Sequence, residues 1–463
     1  MSKVDKSAAD RTEGDINQSV HRSSWQKKVL NEETCALLAE DEKYFIHQSL
    51  STPCLTALER SHGSYLFDTN GKSYLDFHGN SSHQVGYGHP HVVAAITEEM
   101  QRLPFSPRRF TNRPAVELAK KLAQLSPGNL NRMLFAPGGT SANGIALKLA
   151  RSVTGRFKTL SFWDAFHGAS LDAISVGGEA LFRRNMGPLL PGCIQVPAPG
   201  SHCFGVDKLD WQKALGYIEY VMVHEGDVAA FIAEPMRCTT IDIPPVQFWR
   251  QIREICDRHG VLLIFDEIPL CLGRTGFMFA CEYYAVVPDI LCLGKGLGGG
   301  IFPMAATLIR EDLEIDPAQA LGHYTHEKSP VGCAAALATL EVIADEHLLQ
   351  RSRELGRHTL AALHRLRSEH PLISAVRGVG LMLGIEITPP AGFTCSATDA
   401  AEQILYAAFT QGLSFKISAG NVLTLTPPLT ISDAEMDAAL NIIAASIAQV
   451  EVKFGLNRQS RNI

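Results

Sequence analysis

Four short segments of this sequence carry residue types that do chemistry. Residues 135–143, FAPGGTSAN, pass from a strand pattern into a helix pattern. Their glycines let backbone approach a ligand, and the unpaired N–H groups of a helix start attract an anion. Phe166, His167 and Gly168 follow the next strand pattern, where an aromatic face can stack on a flat ring. Phe265, Asp266 and Glu267 close a continuous apolar run. Carboxylates at the C-terminal end of a parallel strand lie where open α/β sheets bind ligands. Residues 289–295, DILCLGK, set Lys295 just past another apolar strand and between glycines, as a candidate Schiff-base former. A phosphate anchor, a stacked aromatic, a carboxylate facing a ring cation and an imine-forming lysine together describe a site for pyridoxal 5'-phosphate.

Other motifs fail on spacing. Residues 294–300, GKGLGGG, lack the serine or threonine that a P-loop needs after its lysine. Residues 139–143 put Asn143 where a serine-hydrolase elbow requires glycine. His89 and His91 flank Pro90 without the spacing of a zinc helix, so no metal is expected.

The elements that must position the four segments alternate. Strand patterns at 132–135, 159–162, 228–233, 261–265 and 290–293 are separated by helix patterns such as 115–125, 142–152 and 245–259. Apolar runs of strand length suit a mostly parallel sheet covered on both faces. Around Asn70 and Gly71 the text reads as a hairpin, and 90–100 reads as a helix. Past Pro330 come helices at 333–343 and on through 361, strands at 380–386 and 422–426, and a closing helix at 432–450 capped by Ser432 with Glu435. The expected organisation is an N-terminal arm (1–45), the N-terminal part of a small α+β domain (46–100), a large cofactor-binding domain (101–335) and the C-terminal part of the small domain (336–463).

Composition narrows the class. The chain has 463 residues, 46% hydrophobic and 19% charged, with a net charge of −6. That is ample for a buried core, and no basic tract invites nucleic acid. No apolar run is long enough for a membrane span, and the polar first thirty residues lack a signal-peptide core. Eleven scattered cysteines without a C-x-x-C pair read as reduced thiols of a cytoplasmic protein.

Residues 265–276 (FDEIPLCLGRTG), 288–299 (PDILCLGKGLGG) and 377–382 (RGVGLM) resemble the class III aminotransferases, a fold type I pyridoxal-phosphate family. The likeness runs from about Ser64 to Val450. It implies an α/β fold with a large domain, its mostly parallel sheet between helices, and a small α+β domain. It also implies that Lys295 holds the cofactor as an imine and moves protons, and that Asp266 pairs with the pyridinium nitrogen. Phe166 and Ile268 would cover the two ring faces, and the backbone of Gly139 and Thr140 the phosphate. Thr325 matches a threonine that a neighbouring subunit lends, so a homodimer with shared active sites is implied.

The departures from the family pattern narrow the reaction. Pro269 replaces a glutamine that contacts the ring hydroxyl. In residues 234–239, EPMRCT, Arg237 replaces a glutamine and Thr239 a glutamate; in residues 421–428, NVLTLTPP, Thr424 replaces an arginine. In many members that glutamate and arginine form a switching pair, and the arginine binds the α-carboxylate of a second substrate. Losing both points to loss of that recognition. Arg108, Arg109 and Arg237 could instead meet a phosphonate, for which guanidinium groups are suited. Residues 76–80 (DFHGN), 83–90 (HQVGYGHP) and 322–330 (GHYTHEKSP) resemble the branch that performs eliminations on phosphonates. The implied reaction is β-elimination from (R)-1-hydroxy-2-aminoethylphosphonate, releasing phosphonoacetaldehyde and ammonia, with Lys295 or His83 protonating the leaving hydroxyl. The alternatives are an omega-aminotransferase using a keto acid and a phospho-lyase acting on an aminoalkyl phosphate.

Overall fold

Apolar runs too short for helices become the buried strands of the larger of two units, Pro90–Cys238 with Asp242–Leu349. A computed structural model describes residues 18–204, 208–313, 315–392 and 394–456. In the larger unit seven strands lie in the spatial order Leu130–Ala136, Ala305–Arg310, Ile290–Leu293, Leu262–Asp266, Val228–Ala233, Lys158–Phe162 and Cys193–Val196. The pairings among the last five are parallel. Ala305–Arg310 is antiparallel to both of its neighbours, so it alone runs against the other six. Every residue of Val228–Ala233, Leu262–Asp266 and Ile290–Leu293 is buried, as the unbroken apolar runs require. Helix Gly139–Thr154 packs across Ala305–Arg310, Ile290–Leu293 and Val228–Ala233, and helix Val246–His259 packs on Leu262–Asp266. The strands that end at Ala136, Phe162, Asp266 and Leu293 all point the same way. The four chemical segments therefore emerge from one edge of one sheet.

The smaller unit draws on both ends of the chain, Met1–His89 and Gln350–Ile463, with Thr239–Ile241 added. It holds two four-stranded sheets. In one, Ser73–Asp76 pairs in parallel with Leu413–Ser414, joining the two chain ends. The expected hairpin is present: Asp68 Oδ1 accepts from the N–H groups of Asn70 and Lys72, both at 2.9 Å, and Gly71 takes the left-handed φ of 78° that the turn needs. Helix Asp433–Lys453 starts with the expected capping box, Ser432 and Glu435 each bonding the other's backbone N–H.

Two boundaries differ from the sequence reading. Helix Pro90–Arg102, assigned there to the small domain, packs on helix Pro330–Asp345 in the larger unit, which continues to Leu349. Residues 20–44 of the expected arm form two helices, Val20–Val29 and Glu32–Tyr44; residues 1–17 lie outside the described part. The first helix buries only Arg22 and Trp25, so no apolar stripe marks it in the text. Trp25 donates from Nε1 to Thr410 Oγ1 at 3.0 Å and packs edge-on against Phe409. Among the described residues no helix is long and apolar enough to cross a membrane.

Candidate active site

Lys295 stands two residues beyond Ile290–Leu293 and is the one exposed residue in the buried stretch 290–299. Its φ is 47°, in the left-handed region. That conformation costs a non-glycine residue about 1–2 kcal/mol and persists only where the surroundings impose it. Here Gly294 and Gly296 flank it, and a one-turn helix, Lys295–Gly298, follows at once.

Asp266 ends the strand Leu262–Asp266 and is 2% exposed. Its Oδ2 accepts from Asn143 Nδ2 and from His167 Nδ1, each at 2.8 Å, and its Oδ1 accepts from the Ile268 N–H at 3.1 Å. Asn143 also donates to the His167 carbonyl at 2.9 Å. Three of the four segments are thereby tied to one carboxylate. Asn143 and His167 lie 123 and 99 residues before Asp266 in the chain. Nothing local in the text signals a contact made across the sheet edge.

Glu267, the next residue, faces elsewhere. It accepts from the N–H groups of Ala280 and Cys281 at 2.5 and 2.7 Å, capping helix Ala280–Tyr284. Complete burial pushes its carboxyl up to about 7. Adjacent carboxylates thus have separate tasks, one structural and one aimed at the site.

The residues present fit pyridoxal phosphate. Helix Gly139–Thr154 has no side-chain cap, because Gly138 stands at its N-cap, so its first N–H groups are available to a phosphate. Ile268 lies in a cradle made by two glycines. A Cβ on Gly139 would sit 2.6 Å from its Cδ1, and one on Gly294 would sit 3.2 Å from its Cγ2. Thr140 lies against Gly168, where a Cβ would come within 2.3 Å of the threonine Oγ1. Gly168 also has φ 126°. Replacing it with alanine is expected to cost about 1–3 kcal/mol of stability, measured by denaturant unfolding, and to weaken cofactor binding by displacing Thr140. Phe166 is half-buried, with its ring 4.7 Å from that of Phe182.

The remaining sequence-derived residues lie outside this network. Thr325 is exposed. Arg108 and Arg109 are exposed, and the Arg108 guanidinium contacts the ring of His323. Arg237 is engaged by two carboxylates, Glu179 and Glu234. His83, in the smaller unit, is fully buried, with Nε2 3.3 Å from the Asp76 carbonyl and its ring beside Tyr87. Pro269 is buried. The two altered pair positions are neighbours within the smaller unit: Thr424 Oγ1 donates to the Thr239 carbonyl at 2.6 Å. Arg377 Nε donates to the Thr240 carbonyl beside them at 2.9 Å. Among the described residues no cluster of histidine, cysteine, aspartate or glutamate could hold a metal ion.

Comparison with known proteins agrees with this fold. The family model "Aminotransferase class-III" matches residues 46–447. An "(R)-1-hydroxy-2-aminoethylphosphonate ammonia-lyase" of Vibrio splendidus (strain 12B01) is 47% identical over 457 residues, covering 95% of each chain. An "Isoleucine 2-epimerase" of Lentilactobacillus buchneri is 31% identical over 428 residues, 90% of this chain and 95% of its own. Among solved structures, an amine transaminase from an uncultivated Pseudomonas species in its PLP-bound form superposes with a TM-score of 0.80 at 29% identity, covering 88% of this chain and 98% of that one.

Proposed function

The chain belongs to the class III aminotransferase family, which works with pyridoxal phosphate, and from that premise we propose that it is an ammonia-lyase acting on (R)-1-hydroxy-2-aminoethylphosphonate. The observation that carries this reading is the 47% identity to the Vibrio lyase over nearly the whole of both chains. The pair of threonines supports it. Where many members of the family have glutamate and arginine, a hydroxyl bonds a backbone carbonyl, and neither side chain offers a cation to a keto acid.

When bound, the cofactor supplies an electron sink next to the amine-bearing carbon of the substrate. Lys295 takes the proton from that carbon at Nζ. Hydroxide leaves poorly, and the same ammonium then protonates it. His83, the other acid considered, is enclosed against Asp76 and Tyr87. Asp266, held by Asn143, His167 and the Ile268 N–H, would pair with the ring nitrogen of the cofactor. Gly139 and Thr140 would offer N–H groups to the phosphate, and Phe166 and Ile268 would cover the two faces of the ring. Loss of hydroxide yields an enamine, which becomes an imine and takes up water to give phosphonoacetaldehyde and ammonia.

The phosphonate is assigned to the exposed Arg108 and Arg109, since Arg237 already faces two carboxylates. The working unit is a homodimer in which Thr325 of the partner subunit completes the phosphate site. Eleven scattered cysteines without a C-x-x-C pair suit a cytoplasmic enzyme.

The test is a reaction of purified enzyme with this phosphonate and no keto acid. Aldehyde and ammonia are expected in equal amounts over many turnovers. A single burst per active site, without ammonia and with pyridoxamine phosphate accumulating, identifies an aminotransferase instead.

A further inference from the structure

Arg237 occupies a position where the family usually has a neutral glutamine, and its surroundings are those of a clamp. Its guanidinium fork bridges Glu179 and Glu234, whose side chains are 1% and 7% exposed. Two buried carboxylates on one cation leave no net positive charge for an anionic substrate, and without that cation they would repel each other. The fork therefore acts inward.

Glu179 shows where it acts. It is the N-cap residue of the short helix Ala180–Arg183, yet its side chain makes no capping bond; the carboxylate goes to Arg237. The segment around it is pressed onto the end of strand Lys158–Phe162. A Cβ on Gly178 would lie 2.5 Å from both the Phe162 carbonyl oxygen and the Asp164 nitrogen. Within the segment, Arg183 donates to the Gly177 carbonyl at 3.1 Å, and the Phe182 N–H donates to the Glu179 carbonyl at 3.3 Å. Phe182 then packs its ring on Phe166. A continuous set of contacts runs from Arg237 through Glu179 and the short helix to Phe166.

We propose that Arg237 is a positioning residue for the cofactor, setting the ring of Phe166 through Glu179 and Phe182. This rests on the reading of Phe166 as the residue that stacks on the cofactor ring. The planar fork of arginine can hold two carboxylates in fixed places at once, which neither a glutamine nor the point charge of a lysine reproduces. The replacement of glutamine is thus directed at the cofactor rather than at the substrate.

The test is a double-mutant cycle read as the dissociation constant of pyridoxal 5'-phosphate added back to apoenzyme, with the circular dichroism of bound cofactor at saturation as a second signal. Arg237→Gln and Phe182→Leu are each expected to weaken cofactor binding about 3- to 10-fold, the range of one aromatic contact. Both should alter the dichroism of the bound ring. The double variant is expected to be no weaker than Phe182→Leu alone, because both changes break one chain of contacts. Additive losses, or an Arg237→Gln protein that binds and orients the cofactor as the parent does, would overturn the proposal. If Arg237→Gln does not fold, Glu179→Gln tests the same link while leaving the Arg237–Glu234 pair in place, with the same two outcomes. Phe166→Leu separates this proposal from its premise. If it leaves cofactor affinity unchanged, the stacking role falls and the proposal with it; if it weakens affinity while the Arg237 variant does not, only the proposal falls.

Discussion

Lys295→Ala is expected to lower turnover by about 10⁴-fold or more, since one amine is asked to take a proton and then deliver it. The loss should be chemical and not structural. Lys295 is exposed in a stretch that is otherwise buried, so its removal opens no cavity, and unfolding free energy should change by no more than about 0.5 kcal/mol. Cofactor should still bind through the helix start at Gly139 and through the ring contacts. Addition of a small primary amine such as methylamine should recover part of the rate, because a free amine can then serve at the position of the missing Nζ. A variant that kept more than a hundredth of parent turnover would remove Lys295 from the centre of the mechanism.

Asp266→Asn should follow, with kcat down by about 10³-fold, the upper part of the range for loss of one preorganised electrostatic partner. The geometry explains why an amide is a poor substitute. Both oxygens of Asp266 accept hydrogen bonds, Oδ2 from Asn143 and His167 and Oδ1 from the Ile268 N–H. An asparagine must set its NH₂ against one of these donors, so the charge and the fit are lost together. Leaving buried donors unsatisfied should also cost about 1–3 kcal/mol in an unfolding titration. The two variants should differ in kind: the lysine variant loses rate at little cost in stability, and the aspartate variant loses both. Unchanged turnover in Asp266→Asn would mean that the ring nitrogen needs no anion here.

The parts of this molecule legible in the text are those whose signal is local. Val228–Ala233 and Ile290–Leu293 were expected at their observed bounds because a strand buried on both faces is an unbroken apolar run. The Asn70–Gly71 turn and the Ser432 cap were legible because a few adjacent side chains decide them. Lys295 and Asp266 stood out as polar residues at the ends of such runs. What the text did not show depends on partners far along the chain. The Arg237 clamp reaches Glu179 across the intervening helices and strands, and from sequence alone Arg237 looked available to substrate. Helix Val20–Val29 buries only Arg22 and Trp25, and the tryptophan's partners lie near residue 410, so its own text reads as polar. Ala305–Arg310, the one strand that runs against the other six of its sheet, carries no local mark of its direction.

That strand has a consequence for how the molecule is made. Leu130–Ala136 has a single neighbour in its sheet, Ala305–Arg310, and most of the larger unit must be synthesised before that neighbour exists. Until then its strand edge is open to pairing with other chains. The smaller unit waits longer still, since Ser73–Asp76 pairs with Leu413–Ser414. Both units are closed by sequence-distant partners, the kind of topology that folds slowly and exposes intermediates. The smaller unit can therefore close only after the segment around residue 413 is made, and until then the nascent chain carries an unpaired edge that a chaperone would have reason to cover.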